Sequence, residues 1–308
     1  MLFLKLNHYF CIQTPYNMKH TIDDLHVFTL HAGYAEHKGD WNWKNVRSPF
    51  ARLYYVTEGE AQIIIHSSAS QDEEIINLRP NHLYLVPPFT LHSNVCNSIF
   101  KHYYIHMLEG TSDKFHYLYE YRYKKELPAS AIDLQLFQTL SSINHFLSLP
   151  ESNPEAYNNT KSLMRNVDLG KQRPLCDKVE SRGILYILLS RFLRSATPIR
   201  HINDERIERA IEYIDTNIAR PISIDDITQI VSMSKDHFIR KFRKETGLTP
   251  VAYTTRRKIE MAETLLVTTE HPIKYIASKL GYEDTAYFYR IFKKHVGKSP
   301  QKYREENS

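Results

Sequence analysis

The chain of 308 residues is poor in glycine, cysteine and tryptophan, with nine, three and two of each. It holds no glycine-rich loop of the kind that cradles phosphates, which removes the common nucleotide-binding motifs. Cys11, Cys96 and Cys176 are odd in number and widely spaced, so they read as free thiols in a reducing cytoplasm and form no metal-spaced pair. No run of about 18 apolar residues occurs, and no membrane span is expected. The apolar start, Met1 to Phe10, lacks the basic front and small-residue cleavage site of a leader. Twelve of the 16 histidines precede residue 199, yet there is no His-x-His pair. His102 and His106 share a strand face without being adjacent, and His66 and His92 have no carboxylate suitably placed. No serine or cysteine stands in a nucleophile motif. The expectation is a cytoplasmic protein that is not an enzyme, with no cofactor and no metal.

What the sequence has is a duplication. Phe238-Ile239-Arg240-Lys241-Phe242 with Gly247, Pro250 and Tyr253 recurs as Phe288-Tyr289-Arg290-Ile291-Phe292 with Gly297, Pro300 and Tyr303, an offset of 50. Upstream, Ile227-Thr228 with Ser232 matches Ile276-Ala277 with Gly281 at an offset of 49. A turn between the two stretches absorbs the difference. In the second copy Ile273, Ile276, Ala277 and Leu280 follow one helix face, Gly281 suits a helix C-terminus, and Asp284 offers an N-cap. Phe288, Ile291 and Phe292 then face inward. Thr285, Ala286, Tyr289, Arg290 and Lys293 stay outside, a short polar and cationic face suited to a DNA major groove. In the first copy Ile224, Ile227 and Ile230 are expected inside and Ser234 as a cap. Asp236, His237, Ile239, Arg240 and Arg243 are the outer candidates. Asp236 and Asp284 can also be read simply as caps or surface charges. Residues 200–308 hold 20 basic and 16 acidic residues, most of the chain's net charge of +5.

These residues resemble the AraC family of bacterial transcription regulators over roughly residues 204–305. The resemblance is carried by Phe-Arg-Lys-Glu-Thr-Gly-x-Thr-Pro-x-x-Tyr, by Ala262 with Leu265-Leu266, and by the Ile-Ala-x-x-Leu-Gly-Tyr and Tyr-Phe-x-Arg-x-Phe-Lys runs. It implies two helix-turn-helix subdomains joined by one long helix, reading adjacent major-groove segments of double-stranded DNA. Thr228, Ser232 and Lys258 stand where the family usually has Ala, Gly and Arg.

The first half reads differently. Arg52 to His66 gives two strands around Glu58-Gly59-Glu60, Ile75 to Leu78 and Leu83 to Val86 give two more, and Ile99 to Leu108 a last one. Short strands with regular turns suggest a small β-barrel or jelly roll. From Ser130 the pattern turns helical, with one stripe at Ile132, Leu136, Leu140, Ile143 and Phe146-Leu147 and another from Ile184 to Leu193. Pro150 to Pro174 reads as a loose polar connection, and Thr197 to Arg200 as the interdomain linker. The Tyr-Val-x-Glu-Gly-Glu turn, the Leu-x-Pro-x-x-Leu-x-Leu-Val-Pro-Pro run and His92 resemble the cupin-like sensor half of AraC-type regulators. The fold class is therefore two-domain α+β. Residues 1–199 form a cupin-like β-barrel with helices and residues 200–308 an all-α domain with two helix-turn-helix motifs.

The resemblance implies a transcription regulator, expected as an activator, controlled by a small sugar-like effector held in the barrel. RNA polymerase and a second copy in a homodimer are its implied partners, although the helical stripes could equally pack within one subunit. Trp41, Trp43 and His92, then Tyr54, Tyr84 and Tyr104, are the candidate effector contacts; ordinary barrel packing explains them as well. The alternative is a metabolite-binding or metal-dependent cupin that its C-terminal domain tethers to DNA.

Overall fold

A computed structural model describes residues 25–66, 73–109, 118, 121–198 and 204–306; Cys11 and the apolar start lie outside them. Its first half contains two antiparallel sheets. One has the order β1 (Val27–Lys38), β8 (Ile99–Glu109), β3 (Ala51–Gly59), β6 (His82–Val86), β10 (Glu126–Pro128). The other has the order β2 (Trp43–Val46), β7 (His92–Val95), β4 (Ala61–His66), β5 (Glu73–Leu78). The chain passes from the first sheet to the second at Gly59, where φ is +77°. A Cβ there would lie 1.8 Å from the Ile99 carbonyl oxygen, so this turn requires glycine.

Period-two alternation sorts the long strands. Tyr54, Val56, Tyr84 and Tyr104 point between the sheets, where they meet Trp41, Ile63, Leu78 and Phe100. Leu53, Tyr55, Leu85 and Ile105 point the other way and pack under two helices, α1 (Ala131–Ile143) and α4 (Leu175–Leu193). The sandwich is thus buried on both faces of its larger sheet.

Three sequence expectations shift in this half. Helix α1 is rotated from the expected stripe: it buries Asp133, Phe137 and Leu140, while Ile132 is half exposed. The cause is local. Asp133 folds back to accept from the Ser130 N–H at 2.8 Å and hydroxyl at 2.6 Å, and meets Arg191 at 3.3 Å. Residues 150–174 are not a loose connection but contain α2 (Pro154–Tyr157) and α3 (Thr160–Gln172). Asn153 and Asn159 cap them, and the few apolar residues, Tyr157 and Leu163, are fully used in the core. Thr197–Pro198, read as linker, is a short strand β11 paired with β9 (Tyr121–Arg122).

The second half is helical: α5 (Glu205–Thr216), α6 (Ile224–Val231), α7 (Lys235–Thr246), α8 (Pro250–Thr268), α9 (Ile273–Lys279), α10 (Thr285–Val296) and α11 (Pro300–Glu306). Helices α6–α7 and α9–α10 are the two copies of the repeat. Phe238, Phe242, Phe288 and Phe292 are fully buried, as their spacing predicts. Ile230 is a correction: it is half exposed, and Val231 takes the inner place. Ser232 adopts the left-handed conformation that Gly281 adopts in the second copy. At Gly281 a Cβ would also lie 2.8 Å from the Arg220 carbonyl carbon, so the second turn is closed to other residues. Helix α8 is buried along residues 257–267. It packs between the two repeats and shares one core with Leu30, Phe50, Tyr157 and Leu163 of the first half.

Candidate functional site

Two surfaces of this fold have chemistry beyond packing. The first is the outer side of α7 and α10. Asp236, His237, Arg240 and Arg243 on α7, and Ala286, Arg290 and Lys293 on α10, are exposed together. Thr285 is half exposed at the start of α10. Ile239 and Tyr289 are only partly outward, since both pack against the core below. Asp284 caps α10 by accepting from the Ala286 N–H at 2.8 Å. Asp236 lies in the first turn of α7, where a carboxylate favours the helix dipole. Sequence reasoning missed Tyr287, a half-exposed ring with the Arg290 guanidinium 5.9 Å away, which widens the α10 face.

What positions the two faces is α8. Arg257 donates to Asp215 at 3.2 Å and to Glu260 at 3.2 Å, and the Tyr253 hydroxyl donates to Asp215 at 3.0 Å. These bonds fix α5 to the connecting helix. Lys258 donates to the Arg220 carbonyl at 3.0 Å beside the Tyr282 ring, and burial lowers its pKa to about 8. A buried helix tied to α5 and packed in one core with both repeats holds their outer faces at one spacing.

The second surface is internal. Between the sheets lie His31, His92, His102 and His106, all buried, together with the fully buried Arg52. Strand register assembles them: His31 and Arg52 both pair with His106 across β8. His31 and His106 face each other through Nδ1 at 3.2 Å. Phe50 stacks on His106, the Arg52 guanidinium sits 4.7 Å from the Phe50 ring, and Tyr157 from α2 closes on both histidines. Burial, and then the charge of Arg52, lowers the pKa of His31 and of His92 to about 3. The same two causes hold His106 well below its usual value, and burial with the neighbouring His37 does so for His102. The imidazoles are therefore neutral at pH 7. Among the described residues no three His, Cys, Asp or Glu side chains converge as a metal site. His66, for which the sequence offers no neighbouring carboxylate, in fact meets Glu73 at 3.1 Å across β4 and β5.

The six sequence candidates for effector contacts divide. Tyr54, Tyr104 and His92 line the interior beside the histidines, and Trp41 packs on His102 and Phe100. Tyr84 is in the same core, but its hydroxyl is held by the Arg79 N–H at 2.9 Å and lies near Glu126 at 3.2 Å. Trp43 is only half buried on β2. His31, Phe50, Arg52, His106 and Tyr157 were missed.

Comparison with known proteins bears on the helical half. A family described as a helix-turn-helix domain, HTH_18, matches residues 227–306. The chain is similar to the xylose operon regulatory protein of Escherichia coli K12, 32% identical over 37% of this chain and 29% of that protein. It is similar to the lactose operon transcription activator of Staphylococcus xylosus, 30% identical over 41% of this chain and 45% of that protein. The chain thus spans less than half the length of these curated relatives. Among solved structures it is similar to the C-terminal domain of AraT, a response regulator from Geobacillus stearothermophilus. That match is 30% identical over 33% of this chain and 85% of the other, with a TM-score of 0.33.

Proposed function

We propose that the whole protein is a sequence-specific transcription activator of the AraC type, controlled by a small molecule held between its two sheets; the helix-turn-helix match over residues 227–306 and the likeness to the xylose operon regulatory protein support this reading. We divide it near residue 199 into an effector-binding half and a DNA-binding half. The observation that carries the DNA-binding role is the pair of exposed polar and cationic faces on α7 and α10, locked to one buried helix. The named relatives regulate xylose and lactose operons, which favours a sugar or sugar derivative as the effector class. RNA polymerase is the partner an activator needs at a promoter.

Selection of the full chain's preferred site from random duplex DNA, followed by fluorescence anisotropy, tests this. Arg290→Ala is expected to cost about 1–3 kcal/mol on the selected site and much less on random DNA if Arg290 reads a base. Equal losses on both would make it a phosphate contact, with a shallower salt slope. Failure to enrich any sequence would sink the DNA-reading assignment.

Homodimerisation is the part of the reading that α4 supports. Leu175, Val179 and Ile187 are exposed at spacings of four and eight residues, and Gly183 between them has open space in front of it. A second copy covering this stripe would bury it. Leu175→Glu combined with Val179→Glu is expected to convert a sedimenting dimer to a monomer at micromolar concentration. A wild-type chain that already sediments as a monomer would rule the interface out.

A further inference from the structure

Arg52 is the anomaly of the interior between the sheets. It is 1% exposed. Its Nη2 donates to Ser48 Oγ at 2.7 Å, its Nε has no acceptor, and among the described residues no carboxylate pairs with it. A guanidinium is a permanent cation, and burying one without an anion is costly. Around it stand neutral imidazoles and the Phe50 ring, whose face 4.7 Å from the guanidinium offsets part of that cost but supplies no counter-charge.

The histidines add a second requirement. His92 Nδ1 lies 2.9 Å from the Thr90 carbonyl, which can only accept, so Nδ1 carries the proton. His92 Nε2 is then a bare acceptor, and it has no partner. His31 Nε2 is likewise buried and unpartnered. Between His31 and His106 one Nδ1 donates and the other accepts, so the two outer Nε2 atoms offer one donor and one acceptor. A neutral sugar would suit the imidazoles but leave the cation bare. A fatty acid would neutralise the cation and leave the imidazole acceptors without donors. A dianion would bring more charge than one guanidinium balances.

We propose that the ligand of this interior is a small hydroxylated monocarboxylate, a hydroxy acid or sugar acid, with its carboxylate on Arg52 and its hydroxyls on His92 and the His31–His106 pair. This rests on the reading of the sandwich interior as the effector site and narrows its chemistry. Phe50 and Tyr157 form the walls against which the carbon skeleton packs.

The test is thermal unfolding of the full chain with D-gluconate, D-glucuronate, D-galacturonate and L-lactate, each against an uncharged counterpart: the parent sugar or the methyl ester. An acid at a hundred times its dissociation constant is expected to raise the unfolding temperature by about 5–10 °C, and its ester by none of this. Arg52→Met is expected to unfold at a higher temperature than the wild type without ligand and to lose the response to the acid. His92→Phe is expected to weaken the acid at least tenfold. The ester comparison stands even where a variant fails to fold. No shift with any of the acids overturns the proposal. Equal shifts with acid and ester, or shifts with neutral sugars alone, overturn it too and leave effector control standing. An acid that binds through Arg52 yet leaves DNA occupancy unchanged would instead refute effector control and keep the anion site.

Discussion

Mild acid is expected to unfold the sandwich. His31 and His92 have pKa values of about 3 in the folded chain, and His102 and His106 are also held far below their ordinary value. In the unfolded chain each returns to about 6.5. Between those values the unfolded state binds more protons than the folded one. The stability these four groups contribute is therefore complete above about pH 6.5 and is lost progressively as the pH falls towards 3. Going from pH 7 to pH 5.5 costs about 1.2 kcal/mol per histidine, or about 5 kcal/mol for four. That is comparable with the whole stability of a typical domain, about 5–15 kcal/mol. His37 adds less, because burial lowers its pKa while Asp40 at 3.3 Å pulls it back up.

Urea midpoints read by tryptophan fluorescence at pH 7.5, 6.5 and 5.5 give the measurement. Trp41 is well placed as the reporter, with its ring 5.4 Å from that of His102 and 5.2 Å from that of Phe100. The midpoint should fall steeply below pH 6.5. His102→Phe should flatten the fall by about 1 kcal/mol between pH 6.5 and 5.5, the share of one histidine over that interval. A midpoint that stays level from pH 7.5 to 5.5 would show that these imidazoles are hydrated or already protonated in the fold. An anion on Arg52 should also flatten the curve, since a negative charge raises the pKa of every imidazole facing it.

The helical half was legible because its signals are local. A phenylalanine pair four residues apart, a turn glycine and an N-cap each act within about two turns of helix, so Phe288, Phe292, Gly281 and Asp284 could be placed from spacing alone. Ile230 was misplaced because α6 is short and its last inward residue is set by the turn at Ser232. The interior between the sheets was largely illegible because its residues meet only through strand register. His31 and His106 lie 75 positions apart and touch across β1 and β8. Arg52 looks in the sequence like a charge on the solvent face of a strand. Its alternation with Tyr54 and Val56 was the available signal, since residues two apart share a face. The helices in 150–174 were hidden by polar composition. Their ends are defined by asparagine caps, and their packing rests on a few residues such as Tyr157 and Leu163 rather than on an apolar stripe.

Arg47→Ala is expected to loosen the two halves from each other. Arg47 donates through Nη1 and Nη2 to the two carboxylate oxygens of Glu263 on α8, the second at 3.1 Å. Glu263 is 1% exposed, and burial pushes its carboxyl up against the opposing pull of Arg47. Removing one partner of a fully buried pair costs about 3–5 kcal/mol. Here Arg47 is a third exposed and Glu263 can take up a proton, so about 2–3 kcal/mol is the expected loss. Arg47→Met combined with Glu263→Met should recover most of it, because the pair is then replaced by apolar packing rather than left half complete. The pair also adjoins the interior between the sheets. Ser48, next to Arg47, accepts the Arg52 bond at 2.7 Å, and Asn158, next to Tyr157, donates to the Arg47 carbonyl at 3.1 Å. On the proposed reading, a ligand that pulls Arg52 or Tyr157 moves the same short segment that grips α8, and α8 fixes the spacing of α7 and α10. Linkage requires the effect to be reciprocal: if ligand changes DNA affinity by some factor, DNA changes ligand affinity by the same factor. In Arg47→Ala that factor should shrink towards one while ligand and DNA each still bind. Titrating ligand in the presence and absence of the selected DNA site measures it directly. An undiminished factor in the variant would move the coupling to another contact between the halves, such as the packing of α3 on α8.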